Sequence, residues 1–194
     1  MSIILASQSP RRRELLERMG ISKFEIIPAQ GEERADRSLS PAQLVEELSR
    51  HKAAEIAVAH PNDLIVAADT VVAIDGQVLG KPHSTQEASD MLSMLSGREH
   101  HVYTGVTVCR GGQSITEHED TAVCFRTLTP EEIQAYVSTG EPMDKAGAYG
   151  IQGRGCVLVQ GIRGDYYNVV GLPVCRLARI FAQFGINGLT GEGF

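Results

Sequence analysis

A chain of 194 residues, 42% hydrophobic and 22% charged, can bury one sizeable core and lacks the apolar-poor composition of a disordered chain. A formal net charge of −6, with no basic run outside residues 11–13, argues against nucleic-acid binding, which requires many neutralised phosphates. Four widely spaced cysteines with no CxxC read as reduced core thiols, and no stretch approaches the ~18 apolar residues that read as a membrane span, so a cytoplasmic enzyme or binding protein is expected.

The first apolar run, residues 3–6, has no basic residues before it and reads as a strand rather than a secretion signal. A helix follows from Pro10 to about Met19, stopping at Gly20. A strand is predicted over 24–28 and a polar loop over 30–39. Ser40-Pro41-Ala42-Gln43 has the form of a capping box with proline at the first helical position, opening a helix to about Ala59. Residues 64–74 are almost continuously apolar, as in a strand buried on both faces, and Asp75-Gly76 supplies a tight turn. Ser84 and Glu87 cap a helix with Ala88, Met91, Leu92 and Leu95 at helical spacing. Two long strands, about 99–110 and 113–127, are joined through Gly111-Gly112. Thr129 caps a further helix that ends before Gly140. A strand over 156–160 and a helix over 172–184, with Leu177, Ile180, Phe181 and Phe184 inward, complete the pattern. This order predicts one α/β domain with a mixed sheet, and residues from about 186 to 194 read as a flexible tail.

Three places carry residues that a core alone does not explain. In LASQSPRRRELL, Ser7, Ser9 and the amides of a helix start fall together, and Arg11, Arg12 and Arg13 occupy that first turn. Helix N-termini favour anions and disfavour cations by about 0.3–1 kcal/mol each, so three arginines there point to a bound anion or to a solvated turn paired with Glu14 and Glu17. No Walker GxxxxGK[ST] occurs. Lys52 falls in the apolar stripe Val45, Leu48, Ile56, where a lysine either snorkels to water or faces an anion. Asp69 interrupts the buried strand and needs a cation, a metal or a raised pKa, unless it reaches solvent at a strand end. Lys81 follows the Asp75-Gly76 hairpin, and Glu32 and Glu33 lie in the polar loop. Several cations with carboxylates able to hold a metal describe metal-assisted attack of water on phosphorus.

With these residues in place, the sequence resembles the Maf family of nucleotide pyrophosphatases, through LASQSPRR, AADTVVAIDGQVLGKP, DKAGAYGIQG and VVGLP. The resemblance implies an elongated α/β fold around a strongly twisted mixed sheet with a central cleft, related to the inosine-triphosphate pyrophosphatases. It implies cleavage of a nucleoside triphosphate to monophosphate and pyrophosphate, a divalent metal (Mg or Mn) and a homodimer. Carried over by motif, Asp69 is the proton acceptor, and Ser7, Ser9 and Arg12 bind phosphate. Lys52 and Lys81 add charge stabilisation, while Glu33, beside Glu32, holds the metal with Asp69. Thr70 and Gln152 resemble the dTTP- and UTP-hydrolysing branch, since a glutamine amide offers the donor and acceptor that suit O4 and N3–H of thymine or uracil. The alternatives are a purine-directed pyrophosphatase and a nucleotide-sensing regulator of septum formation that does not turn over.

Overall fold

The computed structural model describes residues 2–31 and 38–190. In chain order these form β1 (Ile3–Leu5), α1 (Pro10–Arg18), β2 (Glu25–Ile26), α2 (Pro41–Ala59), β3 (Leu64–Ile74), β4 (Gln77–Leu79), α3 (Thr85–Leu95), β5 (Glu99–Arg110), β6 (Gln113–Phe125), α4 (Pro130–Val137), β7 (Val159–Arg163), α5 (Tyr166–Val170) and α6 (Val174–Gln183). Short 3-10 turns occupy Glu141–Asp144, Ala146–Ala148 and Gly153–Val157. The strands make one sheet of order β2-β1-β3-β5-β6-β7, with β4 beside β3. β1 is parallel to β2 and β3, whereas β3–β4 and β6–β7 are antiparallel, so the sheet is mixed as expected.

Local chemistry sets most boundaries. Ser40 and Gln43 form the reciprocal capping box ahead of α2, and Thr129 with Glu132 does the same for α4. Ser84 accepts from the Glu87 N–H at the start of α3. Asp75 and Gly76 both have positive φ (51° and 75°), the geometry of a two-residue hairpin turn that joins β3 to β4.

Backbone proximity divides the chain into two compact units. One takes the described residues up to Asp69, Thr104–Glu119 and the chain from Gly171; the other takes Thr70–Tyr103 and Asp120–Val170. In the first unit, Ile4, Ala6, Ile65 and Ala67 pack with Ala53, Ile56 and Cys109. The seam between α2 and β5 follows from two spacings. Four helical residues rise about 6 Å and two strand residues about 6.8 Å, so Val45, Ser49 and Ala53 come opposite Gly105, Thr107 and Cys109. A Cβ on Gly105 would lie 2.2 Å from the Val45 carbonyl oxygen; Ser49 Oγ and Thr107 Oγ1 are 2.9 Å apart; and Cys109 Sγ is 4.0 Å from the Ala53 carbonyl. From α6, Leu177, Ile180 and Phe181 are buried, as is Phe184 just beyond it.

In the second unit, Val72, Ile74 and Leu79 pack with Ala88, Leu92 and Leu95 of α3 and with Ile133, Tyr136 and Val137 of α4. His100 is buried edge-on to Phe125 and Tyr149, with Nε2 2.8 Å from Tyr149 Oη and Nδ1 without a hydrogen-bond partner among the described residues. Burial, helped by the neighbouring His101, lowers its pKa to about 4. An unfolded histidine takes up a proton near pH 6.5, which the folded one resists down to about 4. Stability is therefore greatest above pH 6.5 and falls as pH drops towards 4, by up to about 3 kcal/mol from this group. Urea midpoints across that window are expected to show the slope, and His100→Gln is expected to flatten it; an unchanged slope would reject the assignment.

Some boundaries differ from expectation. The strand expected over 24–28 is only Glu25–Ile26, and both residues are exposed. Gly153–Val157 is a 3-10 turn, and the strand expected at 156–160 is displaced to β7, whose place is set by pairing with Ala122–Phe125. β6 stops at Phe125, and α5 was not predicted. Of the four free cysteines only Cys109 is buried; Cys156 and Cys175 are exposed, so core thiol is the wrong description for them. In the segment read as a tail, Ile186 is buried and Gly188 touches the backbone of Met19 and Gly20; residues 191–194 lie outside the described residues. No helix among the described residues is long and apolar enough to cross a membrane.

Candidate active site

β1 and β3 are parallel with Leu5 opposite Val66, and the Ala6 N–H donates to the Val66 carbonyl at 2.8 Å. Continuing that register brings Ser7 level with Ala68, one residue before Asp69, at the carboxyl end of β1. Polar residues are concentrated where parallel strands hand over to helix starts. Ser9 caps α1, its Oγ accepting from the Arg12 N–H at 3.5 Å, and Pro10 occupies the first turn. No acidic residue lies in that turn.

Arg12 and Arg13 separate in role. Arg13 pairs with Glu17 one turn on, at 3.0 Å, and Arg18 takes Glu14, at 2.7 Å. Such exposed pairs contribute little. Arg12 instead turns across the helix start. Its Nε donates to the Gly171 carbonyl at 2.8 Å and its Nη1 to Ser7 Oγ at 3.1 Å. Ser7 is buried and also accepts from the Ser9 N–H at 3.3 Å. A guanidinium fixed on two sides is a preorganised fork for an oxyanion.

Lys52 and Asp69 meet. Asp69 is 8% exposed, and the Lys52 ammonium donates to its Oδ1. The lysine in the helical stripe and the aspartate in the apolar strand thus resolve each other's anomaly, and a buried carboxylate acquires its counter-charge. Ser7, Ser9, Arg12, Lys52 and Asp69 all belong to the first unit.

Thr70, Lys81 and Gln152 belong to the second unit. Thr70 is half-buried in β3, and Lys81 is exposed just after β4. The Gly80 carbonyl accepts from the Gly147 N–H at 3.0 Å, and a Cβ on Gly147, whose φ is +67°, would lie 2.8 Å from Val72 Cγ2. Gly147 therefore permits close packing of the DKAGAYG segment on β3. Gln152 is half-buried and precedes a 3-10 turn that its side chain does not cap. Glu32 and Glu33 lie outside the described residues. Among the described residues no three His, Cys, Asp or Glu side chains gather into a metal-holding group.

One cluster was missed from sequence. The Glu141 carboxylate accepts from the Arg154 and Gly155 N–H groups at 3.0 and 3.1 Å and from Tyr136 Oη at 2.9 Å. Burial alone would raise its pKa, but these donors and the nearby Lys145 charge outweigh it and hold the carboxyl below its ordinary value. The available signal was glycine density, at 147, 150, 153 and 155, which marks backbone that must come close to something.

These features define an α/β protein with a polar, cation-bearing candidate site around a part-buried ion pair. Residues 2–184 match the family model described as Maf-like protein, and the chain belongs to the Maf family. A dTTP/UTP pyrophosphatase of Moorella thermoacetica is 54% identical over 188 residues, covering 95% of this chain and 96% of the relative. A protein of the same name from Symbiobacterium thermophilum is 52% identical over 189 residues, 97% of each chain. Among solved structures, a HAM1 protein of Coxiella burnetii aligns with TM-score 0.47 and 18% identity over 64% of this chain and 73% of its own.

Proposed function

We propose that this chain is a nucleoside triphosphate pyrophosphatase that hydrolyses dTTP and UTP to the monophosphate and pyrophosphate. The observation that carries the reading is the pairing of buried Asp69 with half-buried Lys52 in the unit that also holds the Arg12–Ser7 helix start. The names of relatives about half identical over nearly the whole chain support the same substrates.

In this reading Asp69 takes the proton of the attacking water. The water oxygen bonds to the α-phosphorus, the anhydride bond to the β-phosphate breaks, and its electron pair leaves on pyrophosphate. Lys52, bonded to Oδ1, fixes the carboxylate's orientation, which matters because proton transfer requires hydrogen-bond reach. Arg12, Ser7, Ser9 and the first-turn amides hold phosphate oxygens, and Lys81 adds a second cation. Gln152 reads O4 and N3–H of the base with one acceptor and one donor, and Thr70 assists base choice.

A divalent cation, Mg or Mn, fits the donor chemistry. Asp69 offers hard oxygen and Lys52 is bonded to one of its two oxygens, and Mg²⁺ commonly takes only one or two carboxylates besides phosphate and water. Asp69 and Glu33 would hold it, and when bound it would neutralise charge on the phosphate oxygens. The family resemblance also supports a cytoplasmic homodimer, which light scattering of the purified protein would test.

Pyrophosphate release from a panel of ordinary and modified triphosphates, with either metal, tests the reading. Preferential conversion of dTTP and UTP to monophosphate is expected. Preference for purine substrates would overturn the base assignment, and binding without turnover would favour a nucleotide-sensing regulator. Arg12→Lys, which cannot reach Ser7 and Gly171 together as a planar fork, is expected to raise KM for the triphosphate about tenfold, the equivalent of 1.4 kcal/mol. An unchanged KM would remove Arg12 from the phosphate site.

A further inference from the structure

Gln152 sits in a loop that the chain closes with unusual tightness. A Cβ on Gly155 would lie 2.2 Å from the Gly150 carbonyl oxygen and 2.7 Å from Tyr136 Oη, so the backbone at 150 and at 155 touches and residues 151–154 form a pinched arc. Gly153 has φ +65° within it. The arc is tied down on both sides of Gln152 by one pair of side chains. Before it, the Gly150 N–H donates to Tyr136 Oη at 3.2 Å. After it, the Arg154 and Gly155 N–H groups donate to the two oxygens of Glu141. Tyr136 Oη donates in turn to Glu141 Oε1, joining the two anchors. Lys145 supports the same point: its Nζ donates to the Glu141 carbonyl at 2.6 Å, and its stem lies where a Cβ on Gly150 would need to be, 2.7 Å from Cε.

We infer that the Tyr136–Glu141 pair is a positioning device that sets the base preference by holding the Gln152 loop in its reading conformation. A carboxylate drawn from water is costly unless its bonds are used, and here it is spent on two consecutive backbone N–H groups just after Gln152, while the Tyr136 hydroxyl bonded to it holds the N–H of Gly150 before. The Gln152 amide is left out of the turn's own hydrogen bonding. Discrimination between O4/N3–H and the cytosine pattern requires that amide to be in place before the base arrives, since ordering it on binding would subtract from every substrate alike. The inference rests on the reading of Gln152 as the base-selecting residue.

The test compares kcat/KM for UTP with that for CTP in Glu141→Gln, Tyr136→Phe, Gln152→Ala and the double variant Glu141→Gln/Gln152→Ala, with Mg²⁺ present. Glutamine at 141 presents an N–H₂ group to one of the two amide donors, and phenylalanine at 136 removes the hydroxyl bridging Gly150 and Glu141. Each is expected to lower the UTP/CTP ratio by about 10- to 100-fold, mainly through KM for UTP, with kcat at saturation within a few-fold of the parent. Glu141→Asp, which keeps the charged acceptor, is expected to recover part of the ratio. The double variant is expected to be no less selective than Gln152→Ala alone, as for residues acting through one group. If Gln152→Ala collapses the ratio while both anchor variants keep it, the positioning role is wrong and the base reading stands. If Gln152→Ala leaves the ratio intact, the base reading itself fails and the inference with it. Equal losses on UTP and CTP in Tyr136→Phe, with a lowered Tm, would reduce the pair to a structural role and overturn the inference.

Discussion

Asp69→Asn is expected to lower kcat for pyrophosphate release by about 10³-fold while leaving triphosphate affinity within a few-fold of the parent. Positioned general bases contribute ~10²–10⁴-fold, and asparagine preserves the shape and an acceptor for Lys52 while removing the basic oxygen. The substitution separates binding from chemistry because the cations assigned to phosphate, Arg12 and Lys81, are untouched, and Glu33 with the asparagine carbonyl oxygen would still offer the metal oxygen donors. Single-turnover assays at saturating UTP with calorimetric binding under the same metal make the comparison. A kcat within tenfold of the parent would show that another group accepts the proton. Loss of binding in parallel would show instead that the Asp69 charge is needed to bind the metal–substrate complex, and would leave its role as proton acceptor without support.

The second large effect is on stability. Gly105→Ala is expected to cost about 3 kcal/mol, near the upper end for overpacking, because the new Cβ would meet backbone rather than a movable side chain. Its nearest atoms are the Val45 oxygen at 2.2 Å, the Val45 carbonyl carbon at 2.4 Å and the Glu46 nitrogen at 2.8 Å. At about 2–4 °C per kcal/mol for a chain of this size, Tm should fall by roughly 6–12 °C. Lys52 lies seven residues beyond Val45 on the same helix, so lifting α2 from β5 should also weaken the Lys52–Asp69 contact and reduce kcat in the protein that remains folded. Gly161 is the control: no atom crowds its Cβ position and its φ is not positive, so Gly161→Ala is expected to change Tm by no more than about 1 °C. Equal Tm values for the two variants would show that α2 and β5 can separate without cost.

What could be read from sequence was whatever depended on neighbours in the chain. Ser40, Ser84 and Thr129 announced helix starts because a cap is satisfied within three residues, and the apolar run 64–74 gave the bounds of β3 because burial on both faces leaves no alternation to misread. Lys52 and Asp69 were visible as polar residues in apolar patterns, although only the fold shows that they pair. Distant partners were not legible. Val157 and Leu158 look like strand residues, yet Val157 is exposed, and β7 begins only where pairing with β6 can start. The Glu141 anchor has no periodicity at all, since its partners are backbone N–H groups thirteen and fourteen residues away.

The way segments are shared between the units bears on how the protein is made. Arg12 is held by the carbonyl of Gly171, and the unit containing Asp69 also buries Leu177, Ile180 and Phe181. A nascent chain that has passed Asp69 therefore possesses every first-unit residue assigned to the chemistry but neither the carbonyl that aims Arg12 nor the buried helix α6 of the same unit. Domains built from one continuous stretch can fold as they emerge from the ribosome; this unit must wait for residues about a hundred positions further on. Prematurely terminated products would thus leave the Ile4, Ile65, Ala53 and Ile56 cluster without Cys109 and Arg12 without its carbonyl partner, making them substrates for chaperones and proteases rather than partly active enzymes.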